Sequence, residues 1–263
     1  MYMETTEKLL DFIKKSPTAF HAVEEMSKRL TDNGFEVLSE KEHWKLVPGG
    51  KYLVTRNHSA LIAFCIPKED TRVFHIMASH SDSPSFKIKE NPEIKVNNSY
   101  VKLNVEKYGG MLMAPWFDRP LSVAGRVIVR GQDGLEEKLV NVDRDLVMIP
   151  NLAIHMNRDA NNGLAYNPQK DLLPLFAAEN IDKTVLEVIA EEAGLKKEDI
   201  ISHDLFLYNR VPGTVWGADK EFVSSARLDD LQCAFASMQG ILRGRSEKSI
   251  TVHCVMDNEE VGS

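Results

Sequence analysis

The sequence predicts an α/β fold interrupted by a β-rich insertion, on three observations. Two amphipathic helical segments and three strand-like runs fill the first 90 or so residues. From Lys87 to about Pro150 the chain carries strands and turns without a long helical repeat. Helix-then-strand texture resumes near Glu221. Residues 1–90 and 221–263 are therefore expected to form one α/β domain, with residues 91–220 as a β-rich domain inserted into it.

Leu9, Leu10 and Ile13 share one helical face, and the segment breaks at Ser16-Pro17. Ser16 is read as the N-cap and Pro17 as the first residue of a second helix. That helix carries Val23, Met26 and Leu30 at helical spacing and stops at Asn33-Gly34. Residues 52–55, 61–66 and 73–78 read as strands. The last two are apolar on both faces, as central strands of a covered sheet are. In the insertion, residues 123–130 and 138–142 are expected to pair across the turn Gly131-Gln132-Asp133-Gly134. Residues 157–171 are polar and read as a loop, 184–193 as a helix closed by Gly194, and 204–208 as a strand. Leu231, Phe235, Met238 and Leu242 lie on one face of a further helix, and residues 249–256 form the next strand.

The 263 residues are 43% hydrophobic, enough for a true core. A net charge of -7 argues against an electrostatic nucleic-acid binder. Cys65, Cys233 and Cys254 are widely spaced with no CxxC pair, so free thiols in a reducing compartment are expected. The first 15 residues show no signal-type apolar region, and no apolar run approaches the roughly 18 residues of a membrane helix. A cytoplasmic protein without a membrane partner is the expectation.

Three clusters carry chemistry. His80-Ser81-Asp82-Ser83-Pro84 directly follows an apolar strand, where α/β sheets place their ligands. An imidazole there can bind a metal while a nearby carboxylate orients it, although a capped turn would look the same. Arg227-Leu228-Asp229-Asp230-Leu231 precedes the amphipathic helix, where one Asp is an ordinary N-cap and two carboxylates call for a cation. Asp257-Asn258-Glu259-Glu260-Val261-Gly262 again follows an apolar strand. Bound cations would relieve the repulsion between Glu259 and Glu260, where a surface loop would leave them to water. One imidazole with several carboxylates suits zinc or a similar divalent metal, with a non-ligating carboxylate as general base.

These clusters closely resemble the N-terminal site motifs of the aspartyl aminopeptidase family, a family of dinuclear zinc metallopeptidases. Ser16-Pro17-Thr18-Ala19-Phe20-His21, Trp116-Phe117-Asp118-Arg119-Pro120-Leu121-Ser122 and Ile149-Pro150-Asn151-Leu152-Ala153-Ile154-His155 resemble it too, in order along the chain. The resemblance implies a zinc-exopeptidase-like sheet with an inserted β-rich dimerisation domain. It implies two zinc ions, with His80 binding one, Asp229 bridging both and Glu260 binding the other. Glu259 would be the general base and Asp82 would orient His80. His155 would reach into a neighbouring subunit's site and bind substrate. The implied activity is removal of N-terminal residues, acidic ones in several members, from peptides by a large tetrahedral homo-oligomer. Asp230 departs from the family's usual Asn.

His80, Asp229 and Glu260 cannot by themselves fill two zinc shells of about four ligands each. The chain is therefore expected to be incomplete, to hold zinc weakly and to be inactive alone. The alternative is a non-catalytic remnant or assembly subunit of the same fold.

Overall fold

The computed structural model describes residues 2–131, 134–244 and 246–262. The chain forms two compact units, Met1–Ser83 with Pro212–Ser263, and Pro84–Val211. The first unit opens with helices α1 (Tyr2–Lys15) and α2 (Ala19–Thr31), then strands β1 (Glu36–Val37), β2 (Lys51–Arg56), β3 (Ala60–Cys65) and β4 (Phe74–His80). Ser16 does not cap α2. Thr18 occupies that position, with extended backbone, and its hydroxyl bonds His21 Nδ1 at 2.8 Å rather than a backbone amide. The Ser16-Pro17 pair instead ends α1, because a residue before proline is driven out of the helical region.

The second unit contains β5 (Ser85–Val96), β6 (Tyr100–Tyr108), β7 (Leu121–Arg130), β8 (Leu135–Asn141), α3 (Pro168–Asp171), β9 (Leu175–Ala178), α4 (Val185–Ala193) and β10 (Ile200–Asn209). Its strands make one sheet in the order β8-β7-β10-β5-β6-β9. β7 and β8 pair antiparallel, as the hairpin reading expects; Gln132 and Asp133 of the turn between them lie outside the described residues. The polar stretch 157–171 is not all loop: α3 occupies its end, with Asn167 capping Gln169. α4 has the full reciprocal cap, Thr184 with Glu187, and ends on left-handed Gly194. Phe86, Ile88, Leu103, Val123, Val127, Leu205 and Leu207 are among its buried core. Gly125 is required where β7 meets β10: at φ +155, an added Cβ would stand 2.0 Å from the Asp204 carbonyl oxygen.

The chain re-enters the first unit through β11 (Thr214–Trp216) and β12 (Phe222–Ser224), a small hairpin. α5 (Leu228–Arg243) and β13 (Ile250–Met256) follow. β13 inserts between β3 and β4, antiparallel to β3 and parallel to β4, in a sheet ordered β1-β2-β3-β13-β4. α1, α2 and α5 cover one face of it: Phe12, Met26, Leu30, Leu231, Phe235 and Met238 pack with Leu53, Leu61, Ala63 and Val255. The opposite face is open at one side. Sequence patterning placed the residue 73–78 strand at the centre of a covered sheet. In the described structure β4 is an edge strand, and Phe74 and Ile76 are 56% and 64% exposed. The apolar pattern marks both faces of the strand, but only one face meets the helices.

Candidate metal centre

β4 and β13 run parallel and finish side by side, with Met256 in register with His80. The Ser81 amide donates to the Met256 carbonyl at 2.8 Å, so the two chains leave the sheet together. The first and third clusters thus meet at the carboxyl ends of two parallel strands. α5 packs against both strands and brings the second cluster to the same rim.

His80 sits at the centre. Its Nδ1 lies 3.2 Å from an Asp82 carboxylate oxygen and 3.1 Å from the Asp82 carbonyl. Both neighbours are acceptors, which favours a proton on Nδ1 and leaves Nε2 as the nitrogen open to a cation. Nε2 faces Asp229 at 3.3 Å, Asp230 at 3.9 Å and Glu259 at 3.9 Å. Burial lowers the His80 pKa, but Asp230, Asp82, Glu259 and Asp229 together outweigh it and hold the imidazole above its ordinary value. Glu260 is pushed above the usual carboxylate range by burial first, against His80's pull downward, with Asp82, Asp229 and Glu259 adding to the rise.

Asp82 is 4% exposed and binds more than His80. Its two carboxylate oxygens accept the amide N–H groups of Glu259 at 3.3 Å and Glu260 at 3.1 Å. The Glu259–Glu260 turn is entered through Asn258 at φ 64, a left-handed conformation that Asn tolerates better than most residues. Asp229 and Asp230 lie ahead of the regular part of α5, with non-helical backbone, and a cis peptide joins them. Their environments differ sharply. The Asp229 side chain is 87% exposed, and that of Asp230 is 16% exposed. Asp230 accepts the His80 amide N–H at 3.1 Å, and the Cys233 thiol also bonds to it, which raises that thiol's pKa.

Ligand atoms of two overlapping sets, His80 with Glu259 and Glu260, and His80 with Asp229 and Asp230, lie within 4.8 Å of one another. Several carboxylate oxygens converge on a single imidazole nitrogen, an arrangement that a divalent cation would neutralise. The donor set, one nitrogen and the rest oxygen, fits zinc. His80, Asp82, Asp229, Glu259 and Glu260 are thus brought together. His155 lies exposed in a turn of the second unit. From the sequence, Asp230 stood only as a departure from the family's usual Asn, and Arg227 only as part of its motif. The contacts of both depend on the turn before α5, which no spacing rule encodes.

The fold and these donors define a class: an α/β protein with a candidate divalent-metal centre at the strand ends of its sheet. The chain belongs to the M18 family of aminopeptidase I zinc metalloproteases, whose family model matches residues 12–263. It is 45% identical, over 99% of its own length and 62% of the relative's, to a probable M18 family aminopeptidase 2 of Clostridium acetobutylicum. To the protein of that name from Clostridium novyi it is 46% identical over 97% of its length and 61% of the relative's. Among solved structures, mApe1 of Chaetomium thermophilum superposes with a TM-score of 0.90 at 32% identity, over 99% of this chain and 63% of that one. The mApe1 dodecamer of Saccharomyces gives 0.85 at 26%, over 100% and 62%. The chain therefore spans somewhat over three fifths of the length of the curated relatives it matches.

Proposed function

We propose that this chain provides the metal-binding part of a zinc-dependent aminopeptidase that removes N-terminal residues from peptides, acidic ones being the first to test. The convergence of His80, Asp229, Glu259 and Glu260 at the ends of β4 and β13 supports this reading. His80 Nε2 and Glu260 would hold separate zinc ions and Asp229, the most exposed of the carboxylates around His80 Nε2, would bridge them. Bound zinc supplies Lewis-acid polarisation of the scissile carbonyl and acidifies water. Asp82 keeps the proton on His80 Nδ1 and fixes the turn that presents Glu259 and Glu260.

Glu259, 61% exposed, would take the proton of the attacking water and return it to the departing amine. His155 of a neighbouring copy would contact the substrate, which requires a homo-oligomer assembled through the second unit, with tetrahedral symmetry as the larger particle. The protein would act in the cytoplasm; among the described residues no helix is long and apolar enough to cross a membrane.

Calorimetric titration of the chain with Zn2+ tests the centre. Saturable binding that His80→Ala abolishes is the expected result. Equal binding by wild type and His80→Ala would remove the proposed ligand set.

A further inference from the structure

The segment Ser16–His21 takes no part in the centre just described, yet it is tied to it through one side chain. Arg227 Nε donates to the Ser16 carbonyl at 3.0 Å and Nη2 to the Ile13 carbonyl at 3.1 Å. Those carbonyls belong to the C-terminal end of α1, where helix acceptors lack intrahelical partners and the dipole favours a cation. Pro17 stops α1 there. His21 feels the Arg227 charge and stays neutral: burial, and then that charge, push its pKa down to about 4. The cation thus meets carbonyl oxygens, and the imidazole that Thr18 holds adds no opposing charge.

Arg227 has a left-handed backbone, φ 58 and ψ 26. Arginine, unlike asparagine, is not a residue that favours this region, and the conformation costs it on the order of 1 kcal/mol. Such a residue persists where its surroundings fix it, and here the forked guanidinium contact does so. Two residues later the chain presents Asp229 toward His80 Nε2, and the next residue binds the His80 amide.

We propose that Arg227 is a positioning residue for the metal centre: clamped by the carbonyls that end α1, it sets the left-handed turn that aims Asp229 and Asp230 at His80. This role rests on the ligand set proposed above. It gives the Ser16–His21 motif a purpose, as the socket for the guanidinium. A lysine cannot replace the two-pronged contact, since a single ammonium on a flexible stem lacks the planar fork.

The test uses the full chain with Co2+ as probe, reading both affinity and the visible absorption bands of the bound ion. Arg227→Lys keeps the charge and loses the fork. Arg227→Asn tolerates the left-handed backbone and loses the clamp, so it guards against simple misfolding. Leu30→Ala, a buried α2 position outside the ligand set, reports what general destabilisation does. Both Arg227 variants are expected to bind Co2+ about 10-fold or more weakly with altered bands, as loss of supporting contacts around a metal does, while Leu30→Ala keeps wild-type affinity and spectrum.

Wild-type affinity and spectrum in Arg227→Asn would overturn the positioning role while leaving the metal centre intact. An equal loss in Leu30→Ala would overturn it too, as an effect of stability alone. Absence of Co2+ binding by the wild type would instead overturn the proposed centre, and the positioning role with it.

Discussion

The Asp82 carboxylate accepts the Glu260 amide N–H at 3.1 Å, joining residues 178 positions apart. The same carboxylate reaches His80 and the Glu259 amide, so one buried acid holds the imidazole and the glutamate turn in a common frame.

Asp82→Ala is expected to weaken Zn2+ or Co2+ binding by about 10- to 100-fold, the usual cost of losing a group that orients metal ligands. Asp82→Asn should fall between, since an amide keeps one acceptor and loses the charge. Competition against a chromophoric chelator measures this; affinities within twofold of wild type in both variants would refute the framing role.

Glu259→Gln separates binding from proton transfer. The amide matches the carboxylate in shape but cannot take a proton from water. Metal affinity should stay within a few-fold of wild type, and any peptide hydrolysis should drop by about 10²–10⁴, the range for a general base. Turnover equal to wild type would assign the proton to another group.

Asp230→Ala removes the acceptor for the His80 amide and is expected to cost about 1–3 kcal/mol, as a lost hydrogen bond to a charged group does. Asp230→Asn, which still offers an acceptor oxygen, should recover much of that. Urea unfolding of both variants distinguishes them; equal losses would mean that charge, not the hydrogen bond, carries the contribution.

His253 makes stability depend on pH. The ring is fully buried on β13, its Nδ1 is 2.9 Å from the Ser237 hydroxyl, and burial pushes its pKa down to about 4. The unfolded chain protonates near 6.5 while the folded one stays neutral. The contribution is therefore fully present above pH 6.5 and is lost as pH falls from 6.5 toward 4, about 3 kcal/mol by linkage. In urea unfolding at stepped pH, His253→Leu should show a shallower decline than wild type over that window; parallel curves would exclude His253 as the source.

Gly125→Ala should destabilise the second unit by about 3 kcal/mol or more, since its methyl meets the Asp204 carbonyl on the paired strand and neither backbone can move alone. A melting temperature within 2–3 °C of wild type, roughly the error band of a sub-kilocalorie change, would show that the strands separate at little cost.

How much of this was legible in the sequence follows from what fixes each feature. His80 and Glu259–Glu260 were readable because each follows an apolar strand, and strand ends are where side chains leave the sheet. α5 was readable from its apolar spacing, though Ile241, rather than Leu242, is the fully buried residue of its last turn. The Ser16 cap was misread because proline after it fits both a helix start and a helix stop. The edge position of β4 was hidden because apolar alternation shows what a strand is able to bury, not what covers it. The division of labour between Asp229 and Asp230 was illegible: adjacent identical residues differ here only through the backbone of the turn before α5, set by Arg227 and carbonyls over 200 positions away.

The parallel pairing of β4 with β13 has a consequence in time. β4 leaves the ribosome early, while its partner emerges only after the whole of the second unit has been made. His80 must wait, half-housed, until β13 slots between β3 and β4, so cation capture reports that β13 has joined the sheet.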